Sequence, residues 1–201
     1  MKNSADKRLK IWYEIKDLLA GAAFPLMLQI ILSVSFIAMT PAITADDALS
    51  IVLLVIGELL LAVAYFIFGR YSGVTSVRKL VQNTKKRDMG TTEKQALFGT
   101  GEYSAYKGFV MGLISCLPYA LIQLIELCAH NSFCDFLLQY VFGWAIFPFS
   151  YIEISSWLNF IWIIVPTVIH GIAYIIGAYR EWDKQQKIVR MQNVKDKKED
   201  K

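Results

Sequence analysis

The stretch LLAGAAFPLMLQIILSVSFIAMTPAITA, residues 18–45, holds 28 consecutive positions without an Asp, Glu, Lys or Arg. As a helix rising about 1.5 Å per residue it would extend about 42 Å, more than the roughly 30 Å of a bilayer's hydrocarbon core. A run of this kind defines a membrane-crossing helix, and the rest of the chain repeats the theme. Apolar residues make up 55% of the 201 and charged residues 19%, with a mean hydropathy of +0.41. Average soluble domains run at about 45 to 50% and about 25%. A soluble core, an intrinsically disordered chain and a disulfide scaffold are all excluded by this composition and by only three cysteines.

Working outward from residue 18, the 21 Lys and Arg fall into three blocks: Lys2 to Lys16, Arg70 to Lys107, and Arg180 to Lys201. Between the blocks stand only acids, namely Asp17 next to the first block and then Asp46, Asp47, Glu58, Glu126, Asp135 and Glu153. Cytoplasmic loops concentrate Lys and Arg, so all three basic blocks are expected inside and the acidic turns outside. The chain then divides into a cytoplasmic amphipathic segment 1–17, a first transmembrane hairpin 18–69 and a basic cytoplasmic loop 70–107. A second hairpin 108–179 and a charged cytoplasmic tail 180–201 complete it. Spans are expected at 18–43, 48–69, 108–128 and 154–179.

The stretch 136–152, charge-free for 17 residues, is at the short limit for a crossing and carries Gly143 and Pro148. Crossing there would place the basic tail outside. The expected fold is therefore an all-α integral membrane protein, a bundle of four transmembrane helices plus an outer re-entrant or interfacial aromatic segment over 133–152. Five spans are the alternative. Tyr140, Trp144 and Tyr151 lead the aromatic residues of that segment, which reads either as a packing element or as a lid over a substrate. Plasma membrane is the expected location, with N- and C-termini cytoplasmic.

Glu58 lies near the middle of the second span, where an ionised carboxylate costs at least about 2.5 kcal/mol. It points to an ion, proton or cationic-substrate site, or to a protonated carboxyl joining helices. By depth, Gln29 and His170 are its expected neighbours, with Gln123 and Asn159 forming a polar layer nearer the outside. Pro118 and Pro166 are expected to bend spans three and four. Cys128 and Cys134 could pair outside, although three reduced cysteines are the simpler expectation.

Two faint repeats link the hairpins. Pro25 and Gln29 in span one resemble Pro118 and Gln123 in span three; Ala64-Tyr65, Gly69 and Tyr71 in span two resemble Ala173-Tyr174, Gly177 and Tyr179 in span four. If meaningful, they make two hairpins of parallel topology. The basic segments suit anionic lipid, so membrane lipid is an expected partner, beside a partner protein subunit and an unknown small molecule. No nucleic-acid partner, cofactor or metal is expected, because no folded basic domain, dinucleotide fingerprint, Walker spacing or helical metal motif occurs. Small-molecule binding or transport is the function first suggested, as the membrane subunit of a transporter or alone. A structural or regulatory membrane subunit is the alternative. A membrane-embedded enzyme is the least supported, since no nucleophile or paired-acid motif is present.

Overall fold

The computed structural model describes residues 2–43, 47–88, 102–142 and 156–199. Every regular element among them is helical: α1 (Lys2–Ile43), α2 (Asp47–Asp88), α3 (Lys107–Ala129), α4 (Ser132–Val141), a 3-10 helix (Ser156–Ile163) and α5 (Ile164–Glu199). Four of them, α1, α2, α3 and α5, are long and apolar enough to cross a membrane. The ten-residue α4 is about 15 Å long, half a hydrocarbon core, and it packs on α3 and α1 instead. Among the described residues these four helices fall where the sequence reading expects its four spans, and residues 143–152 of the alternative fifth span lie outside them. Trp144 and Tyr151 of the aromatic segment lie outside the described residues, and Tyr140 is described only as part of α4.

Helix limits differ from expectation at the charged ends. Residues 2–17 do not form a separate segment but continue α1 without a break, because no Gly or Pro interrupts the chain before Gly21. Helix α2 runs through the basic block as far as Asp88, and α5 continues through the charged tail to Glu199. Pro118 lies inside α3 as expected. Pro166, expected mid-span, instead sits in the first turn of α5, where no intrahelical donor is needed, and the 3-10 helix precedes it. Between α3 and α4 the chain reverses at His130, which adopts the left-handed conformation (φ 46°, ψ 51°) and donates its N–H to the Glu126 carbonyl at 2.7 Å. Asn131 then caps α4, its side-chain oxygen accepting from the Phe133 N–H at 2.9 Å.

Around the bundle the order is α1, α2, α5, α3, closing back on α1. The α2–α5 contact is the most extensive, and the two helices run parallel: Gly69 lies against His170, Gly73 against Tyr174 and Arg78 against Glu181. Small residues allow it. A Cβ added at Gly69 would lie 2.5 Å from the His170 carbonyl oxygen, and one at Gly73 or Gly177 would come closer still to the carbonyls of Tyr174 and Arg70. Gly69 and Gly73 stand four apart on α2, as Ala173 and Gly177 do on α5, the spacing that brings membrane helices into backbone contact. A second such pair, Gly108 and Gly112, seats α3 against Tyr174, His170 and Thr167 of α5. Tyr65, Tyr119 and Tyr174 fill the interior completely buried, with Leu61, Leu138 and Phe142 packed near the first two.

Candidate functional site

Three polar features stand out, and the helices place them at different depths. The first is a chain of hydrogen bonds among α1, α2 and α3. Gln29 Nε2 donates to the Tyr65 hydroxyl, and that hydroxyl lies 2.8 Å from Ser115 Oγ. Ser115 Oγ gives its only hydrogen to the Gly112 carbonyl at 2.6 Å. Tyr65 must therefore donate to Ser115, so the bonds run in one direction, from amide to phenol to hydroxyl to carbonyl, each polarising the next. The Cys116 thiol borders the chain at 3.6 Å from Gln29 Nε2 and 3.7 Å from the Tyr65 hydroxyl. All four side chains are buried.

His170 lies beside this chain, its ring edge-on to Tyr65 with centroids 6.1 Å apart. Its Nδ1 is 2.8 Å from the Gly108 carbonyl oxygen, which can only accept, so Nδ1 carries the proton and Nε2 keeps a lone pair. Among the described residues Nε2 has no hydrogen-bond partner, nor do Gln29 Oε1, Ser33 Oγ, Gln123 Oε1 and Thr167 Oγ1. The two amide oxygens can only accept, whereas the Ser33 and Thr167 hydroxyls can donate as well as accept.

Glu58 sits apart from that chain. Its carboxylate accepts from the Trp162 side chain, in a crevice of about 20 Å³ also lined by Ala62, Tyr65, Val165 and Pro166. That volume suits about one water molecule. Gln29 and His170, the neighbours expected from depth, pair with Tyr65 and Gly108 instead. Counted along the helices, Gln29 is about 21 Å from Ile43, while Glu58 is about 16 Å and Tyr65 about 27 Å from Asp47, so depth alone does not choose between them and it is the packing of α1 on α2 that brings Gln29 to Tyr65. Gln123 is buried on α3, and Asn159 lies in the 3-10 helix with its side chain outside what is described.

The third feature lies at the end where the basic blocks meet, outside the apolar segments. Lys107, only 3% exposed, reaches Glu14 at 3.1 Å and Asp17 at 2.9 Å, and Lys79 reaches Asp17 at 2.5 Å. Arg78 pairs with Glu181 at 2.9 Å, and Gln185 donates to the same carboxylate. Burial pushes the Asp17 carboxyl up, but hydrogen bonds and charge from Lys79 and Lys107 more than reverse it, so it titrates below its ordinary value. These contacts bring residues from all three basic blocks, or their immediate neighbours, to one end of the bundle.

Reading the sequence alone missed Tyr65, Ser115 and Lys107. Tyr65 was visible only as half of a repeat, and nothing local marks a tyrosine as a core donor. Lys107 had a signal: it is the last cation before span three, and Glu14 and Asp17, three apart, share a face of α1 at matching depth. No group of three or more His, Cys, Asp or Glu that could hold a metal occurs among the described residues, and all three cysteines are free. Comparison with protein-family models, curated proteins and solved structures returns no match.

Proposed function

We propose that this chain is a four-span integral membrane protein of the plasma membrane whose N-terminus, middle block and C-terminus face the cytoplasm. We propose further that it serves as a membrane-embedded subunit, presenting a helical stalk to a cytoplasmic partner. One observation carries this reading. Beyond the apolar segments α2 and α5 continue side by side, and between them runs a groove of about 330 Å³ lined by the apolar Val81, Trp182, Ile188 and Val189, by Gln185 and Gln186, and by the cations Lys85 and Arg190. Counting from Tyr179, the positions from Trp182 to Arg190 stand about 5 to 17 Å past the hydrocarbon edge, whereas the headgroup layer is about 5 to 8 Å thick. Lipid does not reach most of this groove. Trp182 and Val189 are nevertheless 45% and 48% exposed, and the flanking charges are cationic, so the fitting occupant is an acidic amphipathic helix of another protein.

The bundle interior supports the same conclusion from the other side. Its polar groups sit among buried tyrosines, and the crevice at Glu58 admits about one water, not a substrate molecule. A photo-crosslinking amino acid at Val189 tests the reading in intact cells. The expected product is an adduct to one protein through an acidic helical segment, lost when Lys85→Glu and Arg190→Glu are combined. Adducts only to lipid or to a second copy, or a yield indifferent to charge reversal, would remove the proposal. Orientation is checked separately: Asn131→Cys and Ser132→Cys, in a background without native cysteines, should react with impermeant thiol reagents from outside.

A second reading rests on Glu58 itself, a carboxyl at mid-span whose named partner is an indole. In that reading the group exchanges a proton through its one-water crevice. Glu58→Gln should then accumulate normally yet abolish proton flux in reconstituted vesicles, and wild-type flux in both Glu58→Gln and Glu58→Leu would eliminate it.

A further inference from the structure

Between α1 and α2 a slot of about 180 Å³ opens at the basic end. Asp17 and Lys79 stand at its mouth, joined by their ion pair, with Thr75 about a turn below Lys79; Ser72 lies nearly a turn further in, and Phe24 and Phe68 close its far end. The two rings stack with centroids 5.7 Å apart and planes 16° from parallel, and Met111 floors the middle, its sulfur lying where a side chain at Gly21 would otherwise stand. From Asp17 to Phe24 is about 10 Å along α1, so the slot starts at the edge of the apolar segment and descends into it. It is polar at one end and apolar at the other, in the sense of a lipid standing in the inner leaflet.

The charges at the mouth decide the headgroup. Asp17 is engaged by both Lys79 and Lys107, and Glu14 by Lys107, which takes up the acidic oxygens. Lys79, by contrast, is 43% exposed and its ammonium has donors to spare. An acceptor-rich anion suits this mouth, and the apolar depth beneath it suits an acyl chain. We infer that the α1–α2 slot binds one glycerophospholipid, its phosphate on Lys79 and one acyl chain running down past Met111 to the Phe24–Phe68 stack. The rest of the headgroup projects into water, so the site reads the phosphate and not the alcohol attached to it.

Native mass spectrometry of the full chain released from detergent tests this, using phosphatidylglycerol, phosphatidylethanolamine and diacylglycerol of identical chains as probes. One molecule per chain of either phospholipid should survive activation that strips the rest, the two within a few fold of each other, and diacylglycerol should be retained about tenfold less. Lys79→Ala should bring phospholipid retention down to the diacylglycerol level, since hydrogen bonds to charged groups are worth about tenfold. Asp17 keeps Lys107 in that variant, so the bundle end stays paired. Thr75→Trp should fill the slot and cut retention of every lipid about tenfold; Ala20→Phe fills it from the opposite wall, so the result does not depend on the folding of a single variant. Equal retention of diacylglycerol, unchanged retention in both filling variants, or displacement of the lipid by millimolar inorganic phosphate would each overturn the inference.

Discussion

Replacing Gly73 by alanine tests the packing argument most directly, because two physical effects of opposite sign meet there. In an open helix the change stabilises by about 0.5 to 1 kcal/mol, since alanine loses less backbone entropy. Here the new methyl would overlap the Tyr174 carbonyl, lying 2.9 Å from its carbon and closer to its oxygen, with the Ala178 nitrogen at 3.0 Å. Carbon and carbonyl oxygen approach comfortably only to about 3.3 Å, so α2 and α5 must part by about 1 Å along their contact. Neither obstacle is a side chain that can turn aside. Overpacking of this kind costs about 1 to 3 kcal/mol, and losing close backbone contact along the rest of the interface falls at its upper end. The net expectation is a loss of about 2 kcal/mol.

Gly21→Ala provides the contrast, because its Cβ would meet only the Met111 sulfur and methyl, the far end of a flexible side chain. That variant should lie within about 0.5 kcal/mol of the parent. Unfolding in mixed micelles with increasing dodecyl sulfate, followed by far-ultraviolet circular dichroism, measures both. The double variant Gly73→Ala with Gly177→Ala sharpens the test: one separation of the helices relieves both overlaps, so the pair should cost clearly less than the two singles added. A Gly73→Ala protein as stable as the parent would refute the parallel α2–α5 contact, as would strict additivity of the two.

Three further outcomes follow from the polar features. Tyr65→Phe removes the central hydroxyl of the amide-to-carbonyl chain and should cost about 1 kcal/mol in the same unfolding measurement, interhelical polar contacts in membranes averaging about 0.6. Lys107→Met should destabilise by about 3 kcal/mol and Lys79→Met by less than about 1, because Lys107 is buried between two carboxylates while Lys79 is 43% exposed. Asp17 titrates lower in the folded chain than its unfolded value of about 3.9, so its contribution is complete above that pH and is lost as pH falls through the folded value. The unfolding midpoint should therefore drop as pH falls below about 4, and Asp17→Asn should flatten that drop; an identical acid profile in the variant would rule out this assignment.

The positions of the four long helices were legible because the signal is a single property, high hydropathy with almost no charge over about eighteen residues or more, and it needs no knowledge of neighbours. Helix length beyond those segments was not, since a change to charged composition looks the same in a loop and in a helix standing free of the bilayer. Arg78 and Glu181 show why: 103 positions apart, they pair only because α2 and α5 run in parallel, and each carries no local mark of the other. Depth was the weak link at the polar core. Counted along its own helix, Gln29 falls between Glu58 and Tyr65 in depth, and only the contact between helices shows that its partner is Tyr65.

The repeat of Ala64-Tyr65 and Gly69 in Ala173-Tyr174 and Gly177 has a structural counterpart. Tyr65 and Tyr174 are both fully buried, Gly69 and Gly177 both lie in the α2–α5 contact, and Tyr71 and Tyr179 are both exposed. The contact itself is reciprocal. Gly73, three positions past Arg70, meets the Tyr174 carbonyl, and Gly177, three positions past Tyr174, meets the Arg70 carbonyl. This reciprocity matches Gly177 with Gly73 and Tyr174 with Arg70, one helical turn away from the repeat, which matches Gly177 with Gly69, so the contact and the repeat are separate features. The polar content distinguishes the two tyrosines of the repeat: Tyr65 joins a chain of hydrogen bonds to α1 and α3, whereas Tyr174 stacks on Tyr103 at 5.6 Å. Backbone packing can be shared by both hairpins because it depends on small residues at fixed spacing. Side-chain chemistry cannot, and it is the first hairpin's tyrosine, with Gln29 and Ser115, that fixes how the remaining helices close around the α2–α5 pair.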